Sequence, residues 1–220
     1  MSNAREQIFA NIRRGLGRGP LEGDALDHVR QRLKAHPANC IPARSALAFN
    51  EQVNLFKEMA LEAAAELHEL DRLEALPAKV AELLPELGGG PLVMASEPEL
   101  TALAWPEELP REERVARAGD HVSLTGAFAG IAETGTLMLL SGAQSPTTLN
   151  FLPDTHLVVL RRSAIVGPYE AAWQKVRELG GTWPRTVNMI TGPSRSADIE
   201  QKLQMGAHGP KRLIIFLLND

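Results

Sequence analysis

Cysteine is nearly absent: Cys40 is the single one in 220 residues. One thiol cannot build an internal disulfide framework, a Cys-based zinc site or an iron–sulfur cluster. Aromatic residues make up only 5% of the chain, too few for base-stacking platforms. No apolar run approaches the roughly 20 residues that span a bilayer; the longest aliphatic stretch lies within Leu213–Leu218. The N-terminal segment MSNAREQIFANIRRGLG has no apolar core followed by a cleavage site, so a secretory signal is not expected and the cytoplasm is. There is no Walker loop, no Gly-x-Ser-x-Gly elbow and no dinucleotide fingerprint between a strand and a helix. His68-Glu69 lacks a second histidine four residues after the first, and no histidine pair has metal-ligand spacing. No metal site is expected.

Basic charge is scarce where a nucleic-acid binder would need it. Residues 51–115 carry fifteen acidic and five basic side chains, a net of −10. Residues 1–50 carry eight basic and four acidic, and the whole chain is at −4. An acidic middle argues against general phosphate-backbone binding. A 44% hydrophobic content suits one α/β domain with an appendage.

What is present divides into two parts. Residues 1–45 read as a helical and extended N-terminal arm. Ile8, Ile12 and Leu16 form an amphipathic stripe over Ala4–Leu16, and a short helix is expected near Ala25–Leu33. Residues 46–220 alternate helix and strand. Helices are expected at Leu47–Ala63, Pro77–Leu87, Tyr169–Leu179 and Ala197–Met205. Strands are expected at Leu92–Ala95, His121–Leu124, Thr136–Leu140, His156–Leu160, Thr186–Ile190 and Leu213–Leu218. Ala64–Leu70 reads as a first strand or as more helix. The pattern predicts an α/β fold, a mostly parallel Rossmann-like sheet with helices on both faces.

In such a sheet, ligands bind beyond the carboxyl ends of the strands. Two loops carry chemistry of that kind. In Ala129–Thr136, hydroxyls of Thr134 and Thr136 flank Gly135 and can face an anion with the loop amides. Glu133 is a lone carboxylate among small and apolar residues. Burial would raise its pKa and suit it to acid, base or nucleophile work; equally, it can accept hydrogen bonds from loop amides. The second loop, Thr191–Asp198, offers Gly192, Ser194 and Arg195 to a carboxylate or phosphate at an expected helix start. Ser196 would cap that helix, with Asp198 and Glu200 in its first turn, or Asp198 would hold Arg195. His208, past the expected helix end, reads as a proton donor or as a cap on carbonyls. His121 and His156, at strand starts, read as structural.

Ala132-Glu-Thr-Gly-Thr-Leu137, Leu157-Val-Val-Leu160, Gly192-Pro-Ser-Arg-Ser-Ala-Asp-Ile-Glu200 and Gly206-Ala-His-Gly-Pro210, in that order, resemble the lactate utilization protein C family, the LUD domain. The likeness covers about residues 45–220 and is strongest over 121–218. It implies a fold similar to the sugar-phosphate isomerase and CoA-transferase superfamily. It also implies a part in oxidising L-lactate to pyruvate beside two iron–sulfur proteins. With one cysteine and no Cys-rich tail, the chain would be the cluster-free component, holding no cofactor of its own. Two other readings stay open: an independent enzyme acting on a phosphorylated or CoA-linked metabolite through Glu133, and a non-catalytic assembly factor.

Overall fold

A computed structural model describes residues 3–38, 40–197, 203–206 and 208–220. The chain divides into two compact units, Met1–Cys40 and Ile41–Asp220.

The first unit holds helices α1 (Ala4–Gly15) and α2 (Gly23–Ala35). Asn3 starts α1, its side chain accepting the Arg5 N–H at 3.2 Å, and Gly17 follows with a positive φ. The expected stripe of Ile8, Ile12 and Leu16 is exposed, and neither helix contains a buried residue. The second expected helix is longer than its predicted Ala25–Leu33.

The second unit opens with α3 (Phe49–Glu62), β1 (Glu66–Leu70) and α4 (Leu76–Leu83). Then come β2 (Leu92–Met94), α5 (Pro98–Thr101), β3 (Arg111–Glu113) and β4 (Val122–Gly126). The hairpin β5 (Ala129–Ile131) and β6 (Thr136–Leu140) precedes β7 (Thr155–Arg161), β8 (Ile165–Val166) and α6 (Tyr169–Glu178). β9 (Val187–Ile190), β10 (Arg195–Ala197), β11 (Leu203–Met205) and β12 (Arg212–Leu218) complete it.

Six strands form a wholly parallel sheet in the order β1-β12-β7-β4-β2-β3. Within it, β12 and β7 carry the uninterrupted apolar runs Leu213–Leu218 and Leu157–Leu160, because both faces are covered. On β12, Ile214, Phe216 and Leu218 enter a core with Leu76 and Val80 of α4 and Leu100 of α5. Leu213, Ile215 and Leu217 enter the opposite core with Val53, Phe56 and Ala60 of α3. Burying each such side chain stabilises the fold by about 2 kcal/mol relative to exposure.

The expected single sheet is in fact two. Thr136–Leu140 and Val187–Ile190 belong to a four-stranded mixed sheet, β8-β5-β6-β9, with β6 antiparallel to both β5 and β9. This sheet shares one face of the parallel sheet with α3. Leu137 and Leu139 point into that shared core, while Met138 meets Ala172 and Val176 of α6. A continuous apolar run reports cover on both faces, not strand direction, which is why β6 looks parallel in sequence.

A second difference concerns Ala197–Met205, expected as a helix. Instead β10 and β11 pair antiparallel, Arg195 opposite Met205 and Ala197 opposite Leu203. The flanks pin this arrangement: the Gly206 N–H donates to the Ser194 carbonyl at 2.8 Å, and the Ser194 N–H to the Pro210 carbonyl at 2.8 Å. These long-range bonds outweigh a modest helix propensity. Ser196 is thus a strand residue rather than a helix cap; Asp198 and Glu200 lie outside the described residues.

Candidate functional site

Both loops singled out in the sequence lie at the amino edge of the parallel sheet, not at its carboxyl edge. The reason is the β5–β6 hairpin. After β4 ends at Gly126, β5 runs back along α3, so the turn Ala132–Gly135 reaches the C-terminal end of that helix. Gly135, at φ +64°, packs against the backbone of Met59 and Ala60. Gly192, at φ +67°, packs against the Ala63 carbonyl. The two loops therefore meet at one helix end.

Their hydroxyls satisfy one another. Thr134 Oγ1 lies 2.6 Å from Thr136 Oγ1 and 2.8 Å from the Tyr169 hydroxyl. Thr136 Oγ1 lies 2.9 Å from the Tyr169 hydroxyl and 2.5 Å from Thr191 Oγ1. Each such bond contributes about 1 kcal/mol net. This cluster ties the β5–β6 turn to the start of α6 and the end of β9. The threonines expected to face an anion face one another.

Arg195 donates from Nη2 to the Ala63 carbonyl at 2.7 Å, closing the C-terminal end of α3 where a cation complements the helix dipole. Glu133 is only half-buried; its N–H donates to the Gly167 carbonyl at 3.0 Å. His208 is exposed, and its N–H donates to Ser194 Oγ at 3.3 Å rather than capping a helix. Gly192, Ser194 and His208 share the wall of a cavity at the amino edge, whereas Glu133, Thr134 and Arg195 do not line it.

The carboxyl edge carries a different cleft, of about 320 Å³. The chain leaves β2 outward toward β3 at the sheet edge, but leaves β4 in the other direction, toward β7. The crevice between the carboxyl ends of β2 and β4 is therefore a topological switch point. Glu97, three residues past β2, and Gly126, the last residue of β4, stand on its two sides. Arg161, at the end of β7, and Ser145 also line it.

Glu97 is the perturbed group here. Burial raises its carboxyl pKa, opposed by hydrogen bonds from the Ser145 hydroxyl and the Gly126 N–H; the neighbouring Glu99 raises it further. The missing Cβ of Gly126 leaves the space that the Glu97 carboxylate occupies. Arg161 donates from Nη2 to Glu99 at 2.7 Å and lies 3.6 Å from Asp220. These pairs hold the guanidinium at the cleft mouth. No group of three or more His, Cys, Asp or Glu side chains among the described residues is arranged to hold a metal.

The raised pKa has a direct consequence. A carboxyl that holds its proton more tightly folded than unfolded stabilises the fold below its ordinary range, and that stability is lost as pH rises through the folded value. Glu97→Gln is expected to be more stable than the native chain at neutral pH. The difference should vanish below the ordinary carboxylate range. Urea unfolding at both pH values reads this directly; a variant less stable at neutral pH contradicts it.

The LUD domain family model matches residues 53–218. The chain belongs to the LUD domain family. Among its relatives is lactate utilization protein C of Geobacillus thermodenitrificans, 29% identical over 98% of this chain and 96% of that protein. The protein of the same name from Geobacillus kaustophilus is 31% identical over 68% of this chain and 73% of its own length. That from Bacillus subtilis is 29% identical over 78% and 80%. A solved structure of a DUF162 family protein from Deinococcus radiodurans shares the fold, at TM-score 0.55 and 24% identity, covering 78% of this chain and 99% of that one.

In this LUD domain, the sequence pattern does not single out Glu97 or Arg161. The signal is nonetheless there. Each follows an apolar strand at its carboxyl end, Leu92–Ala95 and Leu157–Leu160, the place where α/β sheets present side chains to ligands. No helix among the described residues is long and apolar enough to cross a membrane.

Proposed function

We propose that this chain is the cytoplasmic, cluster-free component of an L-lactate utilization system that oxidises lactate to pyruvate together with two iron–sulfur proteins. The observation that carries the reading is the near end-to-end likeness to lactate utilization protein C, over 98% of this chain and 96% of that relative. Lactate oxidation releases two electrons and two protons. No side chain in the carboxyl-edge cleft takes up electrons, so the acceptor belongs to the partners.

The residues of this chain bind and orient the hydroxy acid. Arg161 takes the carboxylate through charge-assisted hydrogen bonds. Its present pairs with Glu99 and Asp220 are surface pairs, each holding about 1 kcal/mol or less, so an incoming carboxylate displaces them at small cost. Glu97 accepts the hydrogen bond of the 2-hydroxyl. A carboxylate whose proton affinity is raised by burial is better matched to receiving that proton.

The chain, tagged and recovered from its host grown on lactate, is expected to carry two iron–sulfur proteins with it. Elution alone, even after gentle crosslinking, contradicts the complex and favours an enzyme that acts by itself.

A further inference from the structure

At the amino edge of the parallel sheet, a cavity of about 210 Å³ lies among the starts of β7 and β12, the end of β9 and the loop that follows it. Two of its lining side chains are buried and incompletely partnered. His156, expected to be purely structural, is fully buried; its Nε2 is 2.8 Å from Thr125 Oγ1, and its Nδ1 has no hydrogen-bond partner. Asn150 is 3% exposed, and its Oδ1 is likewise unpaired. Among the described residues, three other side chains leave a buried polar atom unpaired, Arg162, Arg177 and Asn188, and none of them lines this cavity.

Buried polar atoms in folded proteins nearly always have partners, so two orphans on one cavity wall call for a ligand that supplies them. The wall also limits what that ligand is. Phe151, Met189, Ile190 and Leu213 make much of it apolar. Burial keeps the His156 ring uncharged, its pKa lowered to about 3. The other lining histidine, His208, is exposed, so no lining side chain offers a buried counter-charge, and an ion would be desolvated without a partner. Water alone would need several molecules to fill the space, and the apolar walls give them few partners.

We propose that this cavity is a second binding site, for a small uncharged alcohol or polyol whose hydroxyls complete Asn150 Oδ1 and His156 Nδ1. A hydroxyl suits both positions. It donates to the amide oxygen, and it donates to or accepts from Nδ1 according to which partner supplies the proton between Nε2 and Thr125. The site is separate from the carboxyl-edge cleft and excludes carboxylates, so it does not depend on the lactate reading.

The test uses the full chain with ¹⁵N-labelled histidine and no partner proteins. Long-range ¹⁵N–¹H spectra follow the His156 ring nitrogens during titration with propane-1,2-diol, glycerol and, as the charged comparison, acetate. The two polyols are expected to give a saturable shift of Nδ1, and acetate none. Ile190→Phe, which fills the cavity and leaves both orphans in place, is expected to abolish the shift. Asn150→Leu is expected to weaken binding about tenfold; should it fail to fold, the native titration and Ile190→Phe carry the test. A shift that never saturates, an equal response to acetate, or one that survives in Ile190→Phe overturns the proposal and leaves a cavity filled by water.

Discussion

Gly135→Ala is expected to destabilise the fold by about 3 kcal/mol or more. Two independent costs add. At φ +64° the backbone is left-handed, a conformation that disfavours any residue with a Cβ. The new Cβ would also lie 2.5 Å from the Met59 carbonyl carbon and 2.7 Å from the Ala60 Cα. Those atoms are backbone and cannot rotate away. Relief requires α3 to move off the β5–β6 turn, which opens the core around Val53, Phe56 and Ala60. Gly142→Ala is the control: no heavy atom lies within 4 Å of its Cβ position, and its φ is ordinary. It should change stability by about 0.5 kcal/mol or less. Urea midpoints of the two variants decide the point, and equal midpoints would show that the turn and helix are not in close contact.

Arg161→Ala is expected to weaken L-lactate binding about a hundredfold, the loss of hydrogen bonds to a charged group. Arg195→Ala should leave lactate binding unchanged. Arg195 closes the end of α3 through the Ala63 carbonyl, so its loss should appear as about 1 kcal/mol of stability instead. Titration calorimetry and urea unfolding on both variants separate a ligand-binding arginine from a helix-closing one. The opposite pattern, with lactate affinity falling in Arg195→Ala and not in Arg161→Ala, would place the ligand at the amino edge.

The fold was largely legible because burial on two faces writes itself into sequence. His156–Leu160 and Leu213–Leu218 read as buried strands, and they are neighbouring interior strands of the parallel sheet. The spacing of Val53, Phe56 and Ala60 gives α3 directly. Strand direction was not legible, since Leu137, Met138 and Leu139 are buried whichever way their neighbours run. Nor was the β10–β11 pair, which depends on bonds from Ser194 to residues twelve and sixteen positions away.

The site was less legible for a related reason. Gly135 and Gly192 do mark positions where only glycine fits, and what they pack against is the end of α3. Glu97 and Arg161 lie 64 positions apart in sequence, and only the strand order brings them to one crevice. Neither sits in a motif. The acidic pair Glu97 and Glu99 looks like solvated surface until the Gly126 backbone is laid beside it.

The central claim is that this chain supplies the hydroxy-acid site of a lactate-oxidising assembly. Its most direct test is the absorbance of the partners' iron–sulfur clusters on adding L-lactate, with and without this chain. Bleaching that requires the native chain, and is lost when Arg161→Ala replaces it, is the expected result. Bleaching at the same rate in the chain's absence would contradict the account.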